Sequence, residues 1–417
     1  MPERMDRQAH SLELPLSEVV EAQGHLIDSH IMERIFDTVV EFGGRFEVEQ
    51  FSIGRTNSEP SKLRLKVEAP SQKELEQMMT QLLGLGCTAV DSGDAELKRA
   101  DCDRCAPDDF YSTTNQRTLV RHKGQWHEVA NQRMDAMIVV DSEGARCRRL
   151  RDIKAGDPIV VGMKGIRVVP EAKERDRFAF AFMSNDISSE RQVETAVEQT
   201  AAIVRQVRRE GKKIVAVAGP VVVHTGGVEA LSRLIRDGWI DVLLAGNALA
   251  VHDIEAALLG TSLGVRASDG RLEQHGHRNH MRAINAINRA GGIKEAVEKG
   301  VLRKGVMYEC VRAGIPFVLA GSLRDDGPLP GVITDMNKAQ DAYAAQLRDA
   351  GVVLCLSSML HSIAVGNMLP AWVKIVCVDI NPAVPTKVSD RGTGQAVGVV
   401  TDVGLFLGLL SSKLQKQ

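Results

Sequence analysis

The sequence predicts an α/β fold. A C-terminal doubly wound parallel sheet follows an N-terminal ferredoxin-like α+β unit and a small β-rich middle region. Three observations carry the prediction. From residue 187 onward, short apolar β-branched runs alternate with helical patterns, giving about six strands separated by helices. Between residues 18 and 95 the pattern reads helix, strand, strand, helix, strand. Near the C-terminus two apolar runs, residues 375–378 and 397–400, end on Asp379 and on Thr401-Asp402. Such runs read as buried parallel strands that stop at a polar edge.

Taken in order, residues 26–42 have helical spacing, with Ile27, Ile31, Ile35 and Val39 on one face, and Gly43-Gly44 ends them. Residues 46–54 and 61–69 alternate as strands. A second helix starts after Pro70 with Ser71 as its N-cap, and residues 87–90 begin a last strand. In the middle region residues 118–122, 124–129, 137–141 and 158–162 are short strand-like pieces, with turn signals at Asp141-Ser-Glu-Gly and Lys154-Ala-Gly-Asp-Pro. The expected domains are therefore 1–100, 101–186 and 187–417. In the last, a helix capped by Ser188 or Ser189 runs to about residue 210. Strands are expected at 213–218, 242–245, 317–320, 352–356, 373–378 and 396–400. Helices are expected at 226–237, 252–259, 284–299, 305–313, 333–349, 358–367 and 404–417.

Composition narrows the function. The net charge is −2, so neither nucleic acid nor an anionic membrane is an expected partner; aromatics, at 4%, leave little for base stacking. No apolar run is long enough to span a bilayer, and the first residues lack the apolar core of a secretory signal, so a cytoplasmic protein is expected. Cys87, Cys310, Cys355 and Cys377 read as small buried hydrophobes. Cys102 and Cys105 form a lone Cys-x-x-Cys with no second pair at metal spacing. His275-Gly-His-Arg-Asn-His280 reads as a loop, since no carboxylate or Cys completes a recognisable set; no metal is expected.

The strand ends are polar and glycine-rich. Strand 213–218 runs into Gly219-Pro-Val-Val-Val-His224-Thr225-Gly226-Gly227. Further ends are Ala245-Gly246-Asn247, then Ala320-Gly321-Ser322-Leu-Arg324-Asp325-Asp326-Gly-Pro, then Ser357-Ser358, Asp379-Ile-Asn381-Pro and Thr401-Asp402. Adjacent strand ends of a doubly wound sheet meet at one crevice. Glycines there let backbone approach a ligand, and helix N-termini offer N–H groups to phosphate. A terminal Asp can hydrogen-bond ribose hydroxyls. The set points to a nucleotide cofactor, although the Gly-x-Gly-x-x-Gly fingerprint is absent.

Several longer motifs carry a resemblance. Ile27-Asp-Ser-His-Ile, Ala106-Pro-Asp-Asp-Phe-Tyr-Ser-Thr-Thr-Asn, Phe182-Met-Ser-Asn, His224-Thr-Gly-Gly, Ala245-Gly-Asn-Ala-Leu-Ala-Val-His-Asp, Ala320-Gly-Ser-Leu-Arg-Asp-Asp-Gly-Pro-Leu-Pro and Val378-Asp-Ile-Asn-Pro are similar to the LOR/SDH conserved-region family. That family includes an NAD-dependent ornithine cyclodeaminase and the C-terminal region of two-domain arginine dihydrolases. The resemblance covers nearly the whole chain. It implies NAD as cofactor, L-ornithine as substrate, and L-proline and ammonia as products. The guanidine-removing domain of the larger proteins is not in this chain, so ornithine rather than arginine is expected. The C-terminal half also resembles the NAD-binding fold of deoxyhypusine synthase, which holds its cofactor without the glycine fingerprint.

The residues suit that chemistry. Asp325 and Asp326 form an acidic pair suited to acid/base work, or else a solvated turn or helix cap. Arg324 could bind the substrate carboxylate or pair with either Asp. His224 and His252 are acid/base candidates or hydrogen-bonded scaffold. Gly219, Thr225, Gly226, Gly227, Gly246, Asn247, Gly321, Ser322, Asp379, Asn381 and Asp402 are assigned to the cofactor. Asp108, Asp109, Tyr111 and Asn115 close over the crevice or form a surface loop. A homodimer or homotetramer is expected. Three other readings compete: an amino-acid dehydrogenase of saccharopine or lysine type, a non-catalytic NAD and amino-acid sensor, and an aminobutyl transferase, for which Lys387 is the nearest lysine to the strand ends.

Overall fold

A computed structural model describes residues 16–24, 26–27, 31–54, 59, 61–90, 93–142, 144–169, 189–262, 265–266, 278–325, 327–390 and 396–415. Asp326, Ser188, the Phe182-Met-Ser-Asn motif, Asp28 to His30 of the first motif and His275 to His277 lie outside the described residues. The chain forms two compact units, residues 1–175 and 176–417.

The first unit opens with β1 (Leu16–Gly24), α1 (Ile31–Glu41), β2 (Arg45–Ser52), β3 (Ser61–Ala69), α2 (Gln72–Gly84) and β4 (Thr88–Ala89), in an antiparallel sheet ordered β2-β3-β1-β4. This is the β-α-β-β-α-β arrangement of a ferredoxin-like unit. In this sheet the strand that sequence periodicity missed is β1. Its polar Ser17, Glu18, Glu21 and Gln23 blur the alternation, while Val20 and Ala22 point into the core. Ser71 caps α2 as expected, accepting from the Glu74 N–H. Along β3, Leu63, Leu65 and Val67 face the helices, as a two-residue period requires.

Seven short strands follow: β5 (Glu96–Arg99), β6 (Arg117–His122), β7 (Gln125–Glu128), β8 (Met137–Asp141), β9 (Gly144–Arg148), β10 (Pro158–Val161) and β11 (Ile166–Val169). They pair as β5-β10-β8-β9 and β11-β6-β7. This β-rich part belongs to the same compact unit as the ferredoxin-like part.

The second unit is the doubly wound one. In chain order it runs α3 (Ser189–Arg209), β12 (Lys213–Ala218), α4 (Val221–His224), α5 (Val228–Arg236), β13 (Val242–Gly246), α6 (Asn247–Leu259), β14 (Thr261–Ser262), β15 (Val265–Arg266), α7 (Asn279–Ala290), α8 (Ile293–Glu298), α9 (Val306–Ala313) and β16 (Phe317–Ala320). It continues with α10 (Met336–Gln346), β17 (Ala350–Leu356), α11 (Met359–Met368), β18 (Lys374–Asp379), α12 (Ala383–Asp390), β19 (Ala396–Val400) and α13 (Val403–Leu414). Six parallel strands stand in the order β16-β13-β12-β17-β18-β19.

Successive residues of β12 feed opposite cores: Ile214, Ala216 and Ala218 one, Val215 and Val217 the other. Burial on both faces explains why these strands read as continuous apolar runs. The helix expected over 284–299 is two helices, because Gly291 ends α7 at φ 100°, a left-handed conformation that favours glycine. The helix expected over 226–237 is α5, and the short α4 before it was not foreseen.

Candidate active site at the carboxyl edge of the parallel sheet

Counted within its own sheet, the strand order is 3-2-1-4-5-6, with β12 first and β17 fourth. The chain winds outward in one direction from β12 and in the other from β17. In open sheets of this kind ligands bind beyond the carboxyl ends of the strands at such a switch point.

At that point two loops touch. The Gly219 N–H donates to Leu356 O at 2.9 Å, and a Cβ on Gly219 would stand 2.0 Å from Ser357 O. No other residue fits there. Ser357 is itself held at φ 47°, a strained backbone that persists only when surroundings impose it, here through its N–H to Val378 O at 2.8 Å. Next along, His361 of α11 packs against Gly246, where a Cβ would lie 2.9 Å from its Cε1. His361 Nδ1 is 3.2 Å from Ser358 Oγ, and the ring meets Tyr343 edge-on at 5.9 Å. Burial holds the His361 imidazole below the usual histidine value. Sequence reasoning passed over His361 as part of a helix; the available signal was a His one turn beyond a strand-end Ser pair.

A second cluster joins α4, α6 and β14. His224 Nδ1 lies 2.8 Å from Ser262 Oγ, and the His224 and His252 rings are 5.1 Å apart. His252 Nδ1 lies 3.3 Å from Glu255 Oε2, a pairing set by their i,i+3 spacing on α6. Glu255 is fully buried and accepts from Thr261 Oγ1 at 2.8 Å, which in turn accepts from Asn279 Nδ2 at 2.9 Å. The carboxylate orients His252, fixing the ring through its Nδ1. Burial first, then repulsion by His252, holds His224 below the usual histidine value, while Glu255 pulls the other way. The site thus favours the neutral form of the His224 ring. The buried Glu255 was not foreseen; inside an apolar helix a lone Glu reads as surface.

The loop after β16 is folded on itself. Asp325 accepts from the Ser322 N–H at 2.7 Å and from Ser322 Oγ at 3.2 Å, and Ser322 Oγ accepts from the Arg324 N–H at 3.1 Å. Both Asp325 oxygens are therefore engaged within the turn that carries Gly321. Asn247, buried at the start of α6, accepts from the Leu329 N–H at 3.1 Å and ties this loop to β13.

On the other half of the sheet, Asp379 Oδ1 accepts from the Asn381 N–H at 2.8 Å, and Asn381 Oδ1 from the Ala383 N–H at 3.0 Å. Asp402 caps α13 through the Leu405 N–H at 2.8 Å. That corner meets Thr225: a Cβ on Gly404 would collide with Thr225 O, and one on Gly227 would touch Leu407. The β12–α4 turn with Thr225, Gly226 and Gly227 and the β19–α13 junction with Asp402 are thus neighbours.

These features suit a dinucleotide. Gly219 and Gly246 let the turns after β12 and β13 lie against Ser357 and His361, contacts that a Cβ would block. The helices α5 and α6 start at Gly227 and Gly246 with no side-chain cap hydrogen bond, and helix N-termini can offer N–H groups to phosphate. Asp379 Oδ2 has no hydrogen-bond partner among the described residues and can accept from ribose. A separate cavity of about 720 Å³, lined by Glu21, Lys62, Arg64 and Arg167 among others, lies within the first unit, not at this edge.

Comparison with known proteins places the family. Residues 198–410 match the family model described as arginine dihydrolase ArgZ-like, C-terminal, Rossmann fold. Residues 17–116 match the LOR/SDH bifunctional enzyme conserved region, and residues 117–197 the ArgZ-like C-terminal first region. A protein named ornithine cyclodeaminase from Methanothermobacter thermautotrophicus is 50% identical over 400 residues, covering 95% of this chain and 97% of its own. The chain belongs to the LOR/SDH, ArgZ-like C-terminal family.

Within that family, the apo structure of ArgZ, an arginine dihydrolase from cyanobacteria, superposes with a TM-score of 0.83 at 47% identity over 96% of this chain and 58% of that one. The ternary complex of AgrE with ornithine and NAD+ gives 0.53 at 50% identity, over 96% of this chain and 57% of that one. The chain therefore spans nearly all of the archaeal relative and somewhat over half of the two larger proteins. The residues matched by the ArgZ-like Rossmann-fold model include every position read from the sequence as cofactor-holding or catalytic.

Proposed function

We propose that this protein is an NAD-dependent ornithine cyclodeaminase that converts L-ornithine to L-proline and ammonia. The observation that carries the reading is the His224–His252–Glu255 cluster beside the Gly219 and Gly246 turns, at the carboxyl end of the parallel sheet. Ornithine binding to AgrE and the name of the archaeal relative point the same way.

NAD, when bound, supplies reversible removal and return of a hydride at the substrate Cα, so the reaction has no net redox change. Every other task falls to the chain. Gly219, Gly246, Gly226, Gly227 and Gly321 leave backbone within reach of the cofactor; Thr225, Asn247, Ser322, Asp379, Asn381 and Asp402 supply polar groups or shape the turns that do. Arg324 is assigned to the substrate carboxylate. His224 holds and returns the proton of the reacting amine, and His252 with Glu255 positions it. Asp325 shapes the Ser322 turn, and the acid role of the pair passes to Asp326. Confinement of substrate beside these groups supplies the proximity that ring closure needs.

The test is direct. Purified protein with ornithine and NAD should yield proline and ammonia in equal amounts with no accumulation of NADH. Stoichiometric NADH would identify an amino-acid dehydrogenase instead. Thermal stabilisation by both ligands without turnover would identify a sensor. A cytoplasmic homo-oligomer completes the proposal, checked by cell fractionation and by light scattering on the eluting peak. Among the described residues, no helix is long and apolar enough to cross a membrane.

A further inference from the structure

The seven cysteines divide sharply. Cys87, Cys147, Cys310, Cys355 and Cys377 are buried, and burial pushes each thiol up, Cys87 to about 12 and Cys147 and Cys355 to about 11. Such thiols are poor nucleophiles. Cys102 and Cys105 are exposed, and their Sγ atoms are 2.6 Å apart, with Cys102 donating to Cys105.

The turn that brings them together is built from both ends. Ala100 exchanges backbone hydrogen bonds with the 156–157 turn, donating to Asp157 O at 2.9 Å and accepting from the Gly156 N–H at 2.8 Å. The Arg104 N–H donates to Ile153 O at 2.9 Å, and Arg104 sits at φ 64°. Asp103 accepts from the Ala155 N–H at 3.0 Å and from Lys154 Nζ at 3.1 Å. Beyond the turn, the Tyr111 N–H donates to Val160 O at 3.0 Å and the Gly162 N–H to Asp109 O at 2.8 Å. The backbone already holds the two sulfurs side by side, so a bond between them requires no rearrangement of the surrounding sheet. Among the described residues no group of three His, Cys, Asp or Glu side chains could hold a metal there.

We propose that Cys102 and Cys105 are a reversible thiol–disulfide site, oxidised by exchange with a small or protein disulfide. The Cys105 thiolate attacks one sulfur of the external disulfide and expels the other as a thiolate, leaving a mixed disulfide. Cys102 then loses its proton to solvent, attacks Cys105 Sγ and expels the second thiolate. Two electrons pass from the pair to the external disulfide, which becomes two thiols. Cys102 is assigned the second step because it is the donor to Cys105; that hydrogen bond first, then desolvation and the charges of Cys105, Asp101 and Asp103, hold its proton more tightly than usual. The ring closed is short, so the bond changes chain entropy little; its product is a fixed turn immediately ahead of the 107–111 segment.

The experiment equilibrates the full chain with graded ratios of reduced to oxidised glutathione, quenches in acid, alkylates free thiols and maps the peptides. The expected result is that two alkylation sites vanish together in one step, with Cys102 and Cys105 joined in a single peptide and the five buried thiols untouched. Cys102→Ser should instead accumulate glutathione on Cys105. The proposal is overturned if both thiols stay alkylatable at ratios that oxidise a free dithiol of the same spacing. Separate glutathione adducts on both cysteines, or a disulfide between two chains, would overturn it equally.

Discussion

At the scale of single residues, the site depends on side chains that are missing and on one that is buried with charge. Gly219→Ala places a methyl 2.0 Å from the Ser357 carbonyl, so one of the two switch-point loops must move. We expect a loss of stability of about 1–3 kcal/mol. NAD affinity should fall by roughly tenfold or more, since 1.4 kcal/mol of lost binding is a decade. Denaturation and calorimetric titration would read the two effects. Asp253 is a different case: fully buried on α6, it accepts from the Val306 and Met307 N–H groups at 2.9 and 2.8 Å and caps α9. Burial raises its carboxyl to about 6 despite those bonds. A carboxyl raised on folding binds its proton more tightly in the folded state. Its contribution therefore favours folding most at low pH and fades between about pH 4 and pH 6, by on the order of 2–3 kcal/mol. Asp253→Asn should flatten that part of the stability profile in urea melts across this range.

At the scale of elements, the proton machinery joins α4 to α6. Glu255→Gln should leave His252 without its carboxylate and lower turnover by roughly ten- to a hundredfold, the usual cost of removing a positioning carboxylate. NAD affinity should be unchanged, because no cofactor-holding turn is touched. His224→Asn removes the proposed base. Its depressed titration places the acid limb of the parent's rate profile below the ordinary histidine value of 6.5, and the variant should lack that limb. The same sign applies to stability. The fold prefers the neutral ring, so the parent loses stability on acidification below the unfolded histidine range, and the variant loses less.

The elements themselves were largely legible. Strands β3, β8 and β12 follow from alternation or β-branched runs, and Ser71 announces α2 because a Ser before Gln-Lys-Glu caps a helix. Those signals are local. What was not legible depended on tertiary burial. The polar side of β1 hid a strand, and α12 was missed because Pro382 and Pro385 break the helical pattern although Pro at a helix start is tolerated. Of the site, Gly219, Gly246 and His224 were legible as strand-end residues. Glu255 and His361 were not, because a buried Glu or His is defined by what packs around it.

At the scale of the whole molecule, the sheet order makes one crevice out of segments far apart in sequence. Gly219 meets Ser357, Gly246 meets His361, and Thr225 meets Gly404, each across a stretch of more than a hundred residues. Losing any of these turns should therefore affect cofactor and substrate together. The central claim is that hydride leaves and returns within one active site. Ornithine carrying deuterium at Cα, incubated with the protein and unlabelled NAD, tests it most directly. The account predicts proline that keeps the deuterium at its own Cα, with ammonia released in equal amount and no NADH at 340 nm. Proline that has exchanged its label with water, or labelled NADH accumulating in step with substrate loss, would contradict it.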